Sequence, residues 1–172
     1  TPRTGLSKSR VLSGLQCQRR LWLETYRRDL IVIDAQQQQV FDAGNALGEL
    51  ARVLLGPGEL IGHVDDIDAA IAETSKRLAG RRTTLFEPAF RHDRVLVRAD
   101  VLKPIARGYD LIEVKGSTSV KDQYISDCAV QAWVIENAGL PLKRIHLAHI
   151  DNTFVYPGGG DYRGLLKVED VS

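Results

Sequence analysis

At 172 residues, with 26% charged and 44% hydrophobic side chains, the chain has the size and composition of one globular domain with a sizeable core, which argues against a disordered or fibrous class. The net charge of +1 is unevenly spread: residues 1–28 carry seven bases (Arg3, Lys8, Arg10, Arg19, Arg20, Arg27, Arg28) against Glu24 alone, so the remainder sums to −5. Two cysteines argue against a disulfide scaffold, and no apolar run approaches the roughly 20 residues of a membrane span, so a cytoplasmic protein without membrane association is expected.

The basic start points to an anionic polymer as partner, with a merely solvated surface as the competing explanation. The opening TPRTGLSKSR lacks the apolar stretch of a secretory signal. The absence of methionine, even at position 1, suggests a processed or excised piece of a longer chain.

Ser7 is a cap candidate for a helix from Lys8, with Val11, Leu12 and Leu15 as its apolar stripe and Gly14 as a weak point. Leu21, Trp22 and Leu23 supply core material, and Leu30–Ile33 is a short apolar run. Asp34 is placed to cap the next helix, which reaches about Leu55 on a stripe of Val40, Leu47, Leu50, Ala51 and Leu54 before the GPGEL turn. A short strand is expected at Leu60–Ile61 and a helix over Asp66–Ala79, stopped by Gly80. Thr83–His92 reads as a strand.

The organising stretch is VLVRADVLKPIARGYDLIEVK, Val95 to Lys115. Two β-type runs, 94–102 and 109–115, flank a segment with Pro104 and Gly108 and predict an antiparallel hairpin with a longer loop. GSTS is then a loop, residues 121–138 a helix stopped by Gly139 and Pro141, and residues 144–150 a strand. Another short strand is expected at Phe154–Tyr156, PGGGD reads as a turn, and residues 165–172 read as the start of an element that is cut off. Helices, three strands, a helix and a strand make an α/β domain with a mixed sheet flanked by helices.

Alternate strand residues share a face, so Glu113 and Lys115 project together, opposite Ile112 and Val114. Asp100 is a carboxylate set among Val95, Leu96, Val97, Val101 and Leu102 in the partner run. Two acids and a lysine converging on one face suit metal-dependent phosphodiester hydrolysis. Asp100, Glu113 and the Val114 carbonyl would bind a hard cation, and Lys115 would stabilise developing charge. The competing explanation is an E-x-K ion pair on a solvated face. On the later helix, Tyr124, Cys128, Gln131 and Ile135 fall on one face, so Gln131 either enters the site or lies at the stripe's edge.

Arg98-Ala99-Asp100, then Glu113-Val114-Lys115, then a helix carrying Gln131, resembles the PD-(D/E)xK nucleases and within them the RecB-like group, which includes CRISPR-associated adaptation nucleases with an iron–sulfur cluster. LSKSRVLSGLQCQRRLWLE, LIEVKGSTSVKDQYISDCAVQAW and HLAHIDNTFVYPGGG are similar to one bacterial family of larger proteins, with an N-terminal RecB-like nuclease domain and a ribonuclease-H-like exonuclease region downstream. The resemblance covers nearly all of the chain. It implies a restriction-endonuclease-like α-β-β-β-α-β core and a single RecB-like domain over residues 1–172. That domain divides into a helical part (1–80), a catalytic sheet and helix (81–156), and the start of an extension (157–172).

The resemblance also implies Mg²⁺ or Mn²⁺ on Asp100 and Glu113, Lys115 as the catalytic lysine, and Gln131 positioning substrate or water. The expected activity is a divalent-metal-dependent deoxyribonuclease favouring single-stranded DNA ends, with RNA as the other substrate class and further domains of the same chain as partners. Arg19, Arg20, Arg27 and Arg28 would contact phosphates. The alternative is a weak or inactive nuclease-fold module that binds nucleic acid within a larger repair or defence protein. A structural domain with only a surface ion pair is a third reading.

Several positions depart from the pattern. The proline that often precedes the aspartate is Ala99. The glycine-x-x-x-histidine of an early helix is Gly44 and Gly48 here, and the neighbouring Glu49 falls opposite the apolar stripe, on the expected surface. The tyrosine often found four residues after the glutamine is Ile135. Weaker activity, one metal instead of two, or binding without cutting would follow. Cys17 lies where the iron–sulfur members carry their lone N-terminal cluster ligand. The C-terminal cysteine-rich segment is absent, so a cluster is expected only in a longer native chain. Cys128 reads as a small packed residue. His146 and His149, three apart on one strand, face opposite ways and are no metal pair.

Overall fold

The computed structural model describes residues 5–63 and 65–172; Arg3 of the basic start lies outside them. In chain order, β1 (Leu6–Ser7) leads into α1 (Lys8–Gln16) and α2 (Gln18–Tyr26), followed by a 3-10 turn at Arg28–Leu30. Then come α3 (Ala35–Leu54), β2 (Glu59–Leu60) and α4 (Ile67–Ala79). The remainder is β3 (Leu85–Phe86), β4 (Ala89–His92), β5 (Val95–Arg98), β6 (Val101–Ile105), β7 (Gly108–Lys115), α5 (Asp122–Asn137), β8 (Leu142–Ile150) and β9 (Leu166–Asp170). This is a mixed α/β fold with helices flanking mixed sheets. Among the described residues no helix is long and apolar enough to cross a membrane.

Six strands form the main sheet in the order β2-β3-β6-β7-β8-β9. β6 and β7 are antiparallel, β7 and β8 parallel, and α5 is the crossover between the latter pair. A smaller sheet, β1-β5-β4, joins the start of the chain to the middle: Leu6 pairs with Val95 in parallel.

Two expected strands are each broken. The run 83–92 splits at Glu87-Pro88 into β3 and β4, and the run 94–102 splits at Ala99-Asp100 into β5 and β6. Glu87 takes a positive φ of 57°, and Pro88 has no N–H to give a ladder. The two chains stay paired across the break, Glu87 N–H donating to Asp100 O at 3.0 Å and Ala99 N–H to Pro88 O at 3.0 Å. One long hairpin thus bends from the small sheet into the large one, and Asp100 sits at the bend instead of mid-strand.

The β6–β7 connection is also tighter than expected. Ile105 pairs with Gly108, leaving Ala106 and Arg107 as the turn, while Pro104 lies inside β6 opposite Tyr109. Gly108 is required there: its φ is +151°, and a Cβ would stand 2.6 Å from Pro141 O.

The principal core lies where α4 and α5 cover the sheets. It includes Leu85, Phe90, Val97, Leu102, Leu111, Val134 and Ile135. The side chains of Leu102, Leu111 and Ile135 are fully buried, each worth about 1.5–3 kcal/mol of transfer free energy. A second cluster, Phe86, Val101, Ile112 and Ala148, packs against Leu55 and Val114.

Other expectations change. Ser7 precedes α1 but makes no capping bond; its hydroxyl meets Ser9 Oγ at 3.0 Å. Asp34 and Asp66 do cap, accepting from Gln37 N–H (2.7 Å) and Ala69 N–H (3.0 Å). Trp22 is exposed rather than core, and of the α3 stripe only Ala51 is buried, because no described element covers the outer part of that helix. Residues 154–156 are irregular, turned back by Phe154 N–H to Asp151 O. Residues 166–170 form β9, which pairs antiparallel with β8 at the edge of the main sheet.

Candidate active site

The bend, β7 and α5 bring Asp100, Glu113, Lys115 and Gln131 together. Strand alternation puts Glu113 and Lys115 on one face, and α5 crosses that face with Asp127 and Gln131 one turn apart. Lys115 Nζ donates to Glu113 Oε1 at 2.6 Å and to Asp127 Oδ2 at 2.5 Å. Gln131 Nε2 donates to Glu113 Oε2 at 2.7 Å and to Asp127 Oδ1 at 3.2 Å. Asp100 Oδ2 accepts the Val114 N–H at 2.6 Å, so the bend docks directly onto β7.

Lys8 of α1 completes the cluster. Its Nζ lies 2.8 Å from Glu113 Oε1 and 3.0 Å from Asp127 Oδ1. Neither Lys8 nor Asp127 was among the residues expected from the sequence. Asp127 had a signal, being four residues before Gln131 on the same helical face. Lys8 had none, because its partner Glu113 is 105 residues away.

The cluster is not a solvated ion-pair face. Glu113 is 2% exposed and Gln131 fully buried, so Gln131 is not at the edge of its stripe. Gln131 spends its amide N–H groups on two carboxylates, while its Oε1 finds no partner among the described residues. A buried polar atom without a partner is costly to a fold that gains nothing from it.

Burial pushes the Asp100 carboxyl up to about 8, and the Glu113 charge adds to the rise; the Lys8 ammonium and the Val114 N–H pull the other way. Burial alone would lower Lys115, but Glu113 and Asp127 outweigh it and hold the ammonium above its ordinary range. Lys8 is raised in the same way: burial lowers it, and Glu113 then Asp127 more than compensate. Burial would raise Asp127, but Lys8 and Lys115 keep it ionised below the usual carboxylate range.

These states decide how a cation would fit. Among the described residues no group of three or more His, Cys, Asp or Glu side chains is arranged to hold a metal. Glu113 and Asp127 are both tied to the two lysines, but it is the Glu113 charge that acts on the Asp100 carboxyl, which makes Asp100 and Glu113 the candidate pair. Asp100 is nonetheless a carboxyl held protonated by burial beside a second carboxylate, and one of its oxygens accepts no hydrogen bond from the described residues. Replacing that proton by a divalent ion relieves the repulsion. A hard cation bound by one or two carboxylates, with waters and phosphate oxygens filling its shell, suits this donor set.

Other expected residues lie apart. Arg19, Arg20, Arg27 and Arg28 are all exposed on α2 and the turn after it. Arg20 pairs with Glu24 at 2.7 Å and Arg27 with Asp29 at 2.7 Å, while Arg19 and Arg28 make no ion pair among the described residues. An open groove of about 300 Å³ runs past Arg19, Arg20, Leu23 and Arg27, with Cys17 at its edge. Next to it, Trp22 and Tyr26 stand exposed with ring centroids 5.7 Å apart. Leu21 seats α2 on α1, so close to Gly14 that a Cβ there would be 2.9 Å from Leu21 Cδ2.

Cys17 is an exposed free thiol between α1 and α2. Cys128 is buried and pushed up to about 12 by burial and then by Glu113 and Asp127, so it is an inert packed thiol. Glu49 is on the surface, as its helical phase requires. His149 is buried and hydrogen-bonded to Glu169 at 3.1 Å, whereas His146 stands 3.7 Å from Asp110.

No protein-family model matches the sequence, and no curated protein matches it. A solved structure described as "Crystal structure of SSO0001" is similar over 98% of this chain and 67% of that one, at 13% identity and a TM-score of 0.49.

Proposed function

We propose that Asp100, Glu113 and Lys115 form the centre of a divalent-metal-dependent nuclease of the RecB-like PD-(D/E)xK kind, cutting DNA phosphodiester bonds with single-stranded ends favoured. The observation that carries this reading is the Glu113–Lys115 pair. Its carboxylate is buried beneath α5 and its ammonium part-buried, beside a second carboxylate at a strand bend, with Gln131 aimed at it and only part-satisfied. The strand order β3-β6-β7, then α5, then β8 supports it further.

In this mechanism Asp100 and Glu113 would hold Mg²⁺ or Mn²⁺, with the Val114 carbonyl as the expected further ligand. The bound cation supplies Lewis acidity toward the scissile phosphate. Gln131 and Lys115 fix the Glu113 carboxylate in one rotamer, so the metal seat is organised before substrate arrives. The Lys115 ammonium, charged at any working pH, orients the attacking water and stabilises negative charge building on the phosphate. Arg19, Arg20, Arg27 and Arg28 engage the DNA backbone; surface ion pairs such as Arg20–Glu24 contribute little and exchange readily for phosphate. Trp22 and Tyr26 offer stacking surface that an unpaired base can reach and a duplex base cannot, which favours single strands over RNA or DNA duplex.

Labelled single- and double-stranded DNA incubated with Mn²⁺, Mg²⁺ or EDTA tests the reading. Wild type should cut only with metal, and both Glu113→Ala and Lys115→Ala should lose on the order of 10²-fold or more of the rate. Retained cutting by Glu113→Ala would sink the site assignment. Absent cutting by wild type, with DNA binding retained, favours the second reading, a module that binds without cutting. The observation on that side is the missing histidine: Gly48 stands where the pattern has it, and Glu113 and Asp127 are both tied up by lysines.

A further inference from the structure

We infer that Lys8 occupies the seat of a second divalent cation, so that the centre takes one metal ion and uses an ammonium in place of the other. This rests on the nuclease reading of the Asp100–Glu113 site.

Glu113 and Asp127, on β7 and α5, are bridged twice. Lys115 spans them at 2.6 Å and 2.5 Å, and Lys8 spans them at 2.8 Å and 3.0 Å. Both lysines share Glu113 Oε1, but they take opposite oxygens of Asp127, Lys8 taking Oδ1 and Lys115 taking Oδ2. Glu113 and Asp127 are 2% and 7% exposed at their side chains, so neither pair can be exchanged for bulk water without opening the site. Two buried carboxylates facing one gap are what a bridging cation requires. Here the gap is filled by a charge delivered from α1.

The charge balance agrees. With every group ionised, three carboxylates and two ammoniums leave one net negative charge. One divalent ion at Asp100 and Glu113 reverses that sign, which suits an incoming phosphodiester. A second ion would add two more positive charges beside two part-buried ammoniums before any phosphate arrived, and Coulomb repulsion at these distances opposes it. Lys8 is also well anchored for the task. It is the first residue of α1, immediately after β1, and Leu6 and Ser7 of β1 are held in register by Val95 and Leu96. Its stem is only 21% exposed.

A purely structural Lys8, pinning α1 to the sheet, would also be missed on removal, so activity alone does not separate the roles. Metal stoichiometry does. Mn²⁺ binding is titrated without DNA, free ion being read by electron paramagnetic resonance, on wild type, Lys8→Met, Lys8→Arg and Lys8→Met/Asp127→Asn. Thermal melts establish that each is folded, and Lys8→Gln replaces Lys8→Met if the latter is not. One ion per chain is expected for wild type and Lys8→Arg, two for Lys8→Met, and one again for the double variant. Two ions on wild type, or one on Lys8→Met, would overturn the inference while leaving the Asp100–Glu113 site standing. No ion on wild type would remove that site itself, and the inference with it.

Discussion

The two halves of the molecule treat apolar residues in opposite ways. In the half built from β6, β7, α5 and β8, Leu102, Leu111, Val134, Ile135 and Leu147 are completely buried, and even Glu113 and Gln131 have almost no exposure. In the half built from α2 and α3, the first buries no residue and the second buries Ala51 alone, while Trp22, Tyr26, Ile31, Val32, Val40 and Phe41 are half exposed or more. The sheet half is therefore where folding free energy resides, and the site is embedded in it. The helical half touches the site through α1, whose Lys8 reaches Glu113 while its Ser13 is buried. Precise geometry comes from the rigid half, and the surface offered to partners comes from the other.

The sharpest way to break this comparison is a matched pair of truncations. Leu111→Ala should open a cavity and cost about 2–5 kcal/mol. Val40→Ala, on a helix of good propensity and 65% exposed, should change stability by no more than about 0.5 kcal/mol. Urea unfolding of both variants measures this. A Val40→Ala loss near that of Leu111→Ala would show that the α2–α3 face is packed in solution.

A second test uses the carboxyls of the site. Asp100 keeps its proton up to about 8 when folded but loses it near 3.8 when unfolded, so the folded state binds more protons between those values. Its contribution is complete below the lower value and is lost as pH rises through the upper one. Asp127 works the other way. Held below its ordinary value by Lys8 and Lys115 against the cost of burial, it stabilises above the carboxylate range and ceases to do so as pH falls through it. With EDTA present, stability should therefore decline from pH 5 to pH 9, Asp100→Asn should flatten that decline, and Mn²⁺ should reverse it. A wild-type profile as flat as that of the Asn variant would mean that Asp100 is well solvated.

How much of this could be read in advance follows from the range of each interaction. The Glu113–Lys115 face needed only the two-residue period of a strand, and the buried line Cys128, Gln131, Ile135 only the period of a helix, so both were legible. The bend was not, because the β-type run 94–102 continues straight through the change of sheet at Ala99-Asp100. Only Pro88, on the opposite strand, marks the place. Lys8 was invisible for a deeper reason: no local rule connects residues 105 apart. The α3 stripe misled in the reverse sense. Periodicity reports that a helix has an apolar side, not that anything covers it.

The smallest expected effects lie on the exposed half, and they separate a DNA-binding surface from a bare one. Trp22→Ala removes a ring that supports little of the fold, so its melting temperature should hardly move. If the ring stacks on a base, single-strand affinity should fall by about 1–3 kcal/mol, with duplex affinity unaffected. Arg28→Ala, without an ion pair to disturb among the described residues, should weaken binding to any sequence and lower the salt slope by about 1. Fluorescence anisotropy in EDTA reads both without cleavage. If the two variants bind as wild type does, phosphate contacts must come from other basic residues, and the apolar face around Trp22 has a purpose other than stacking.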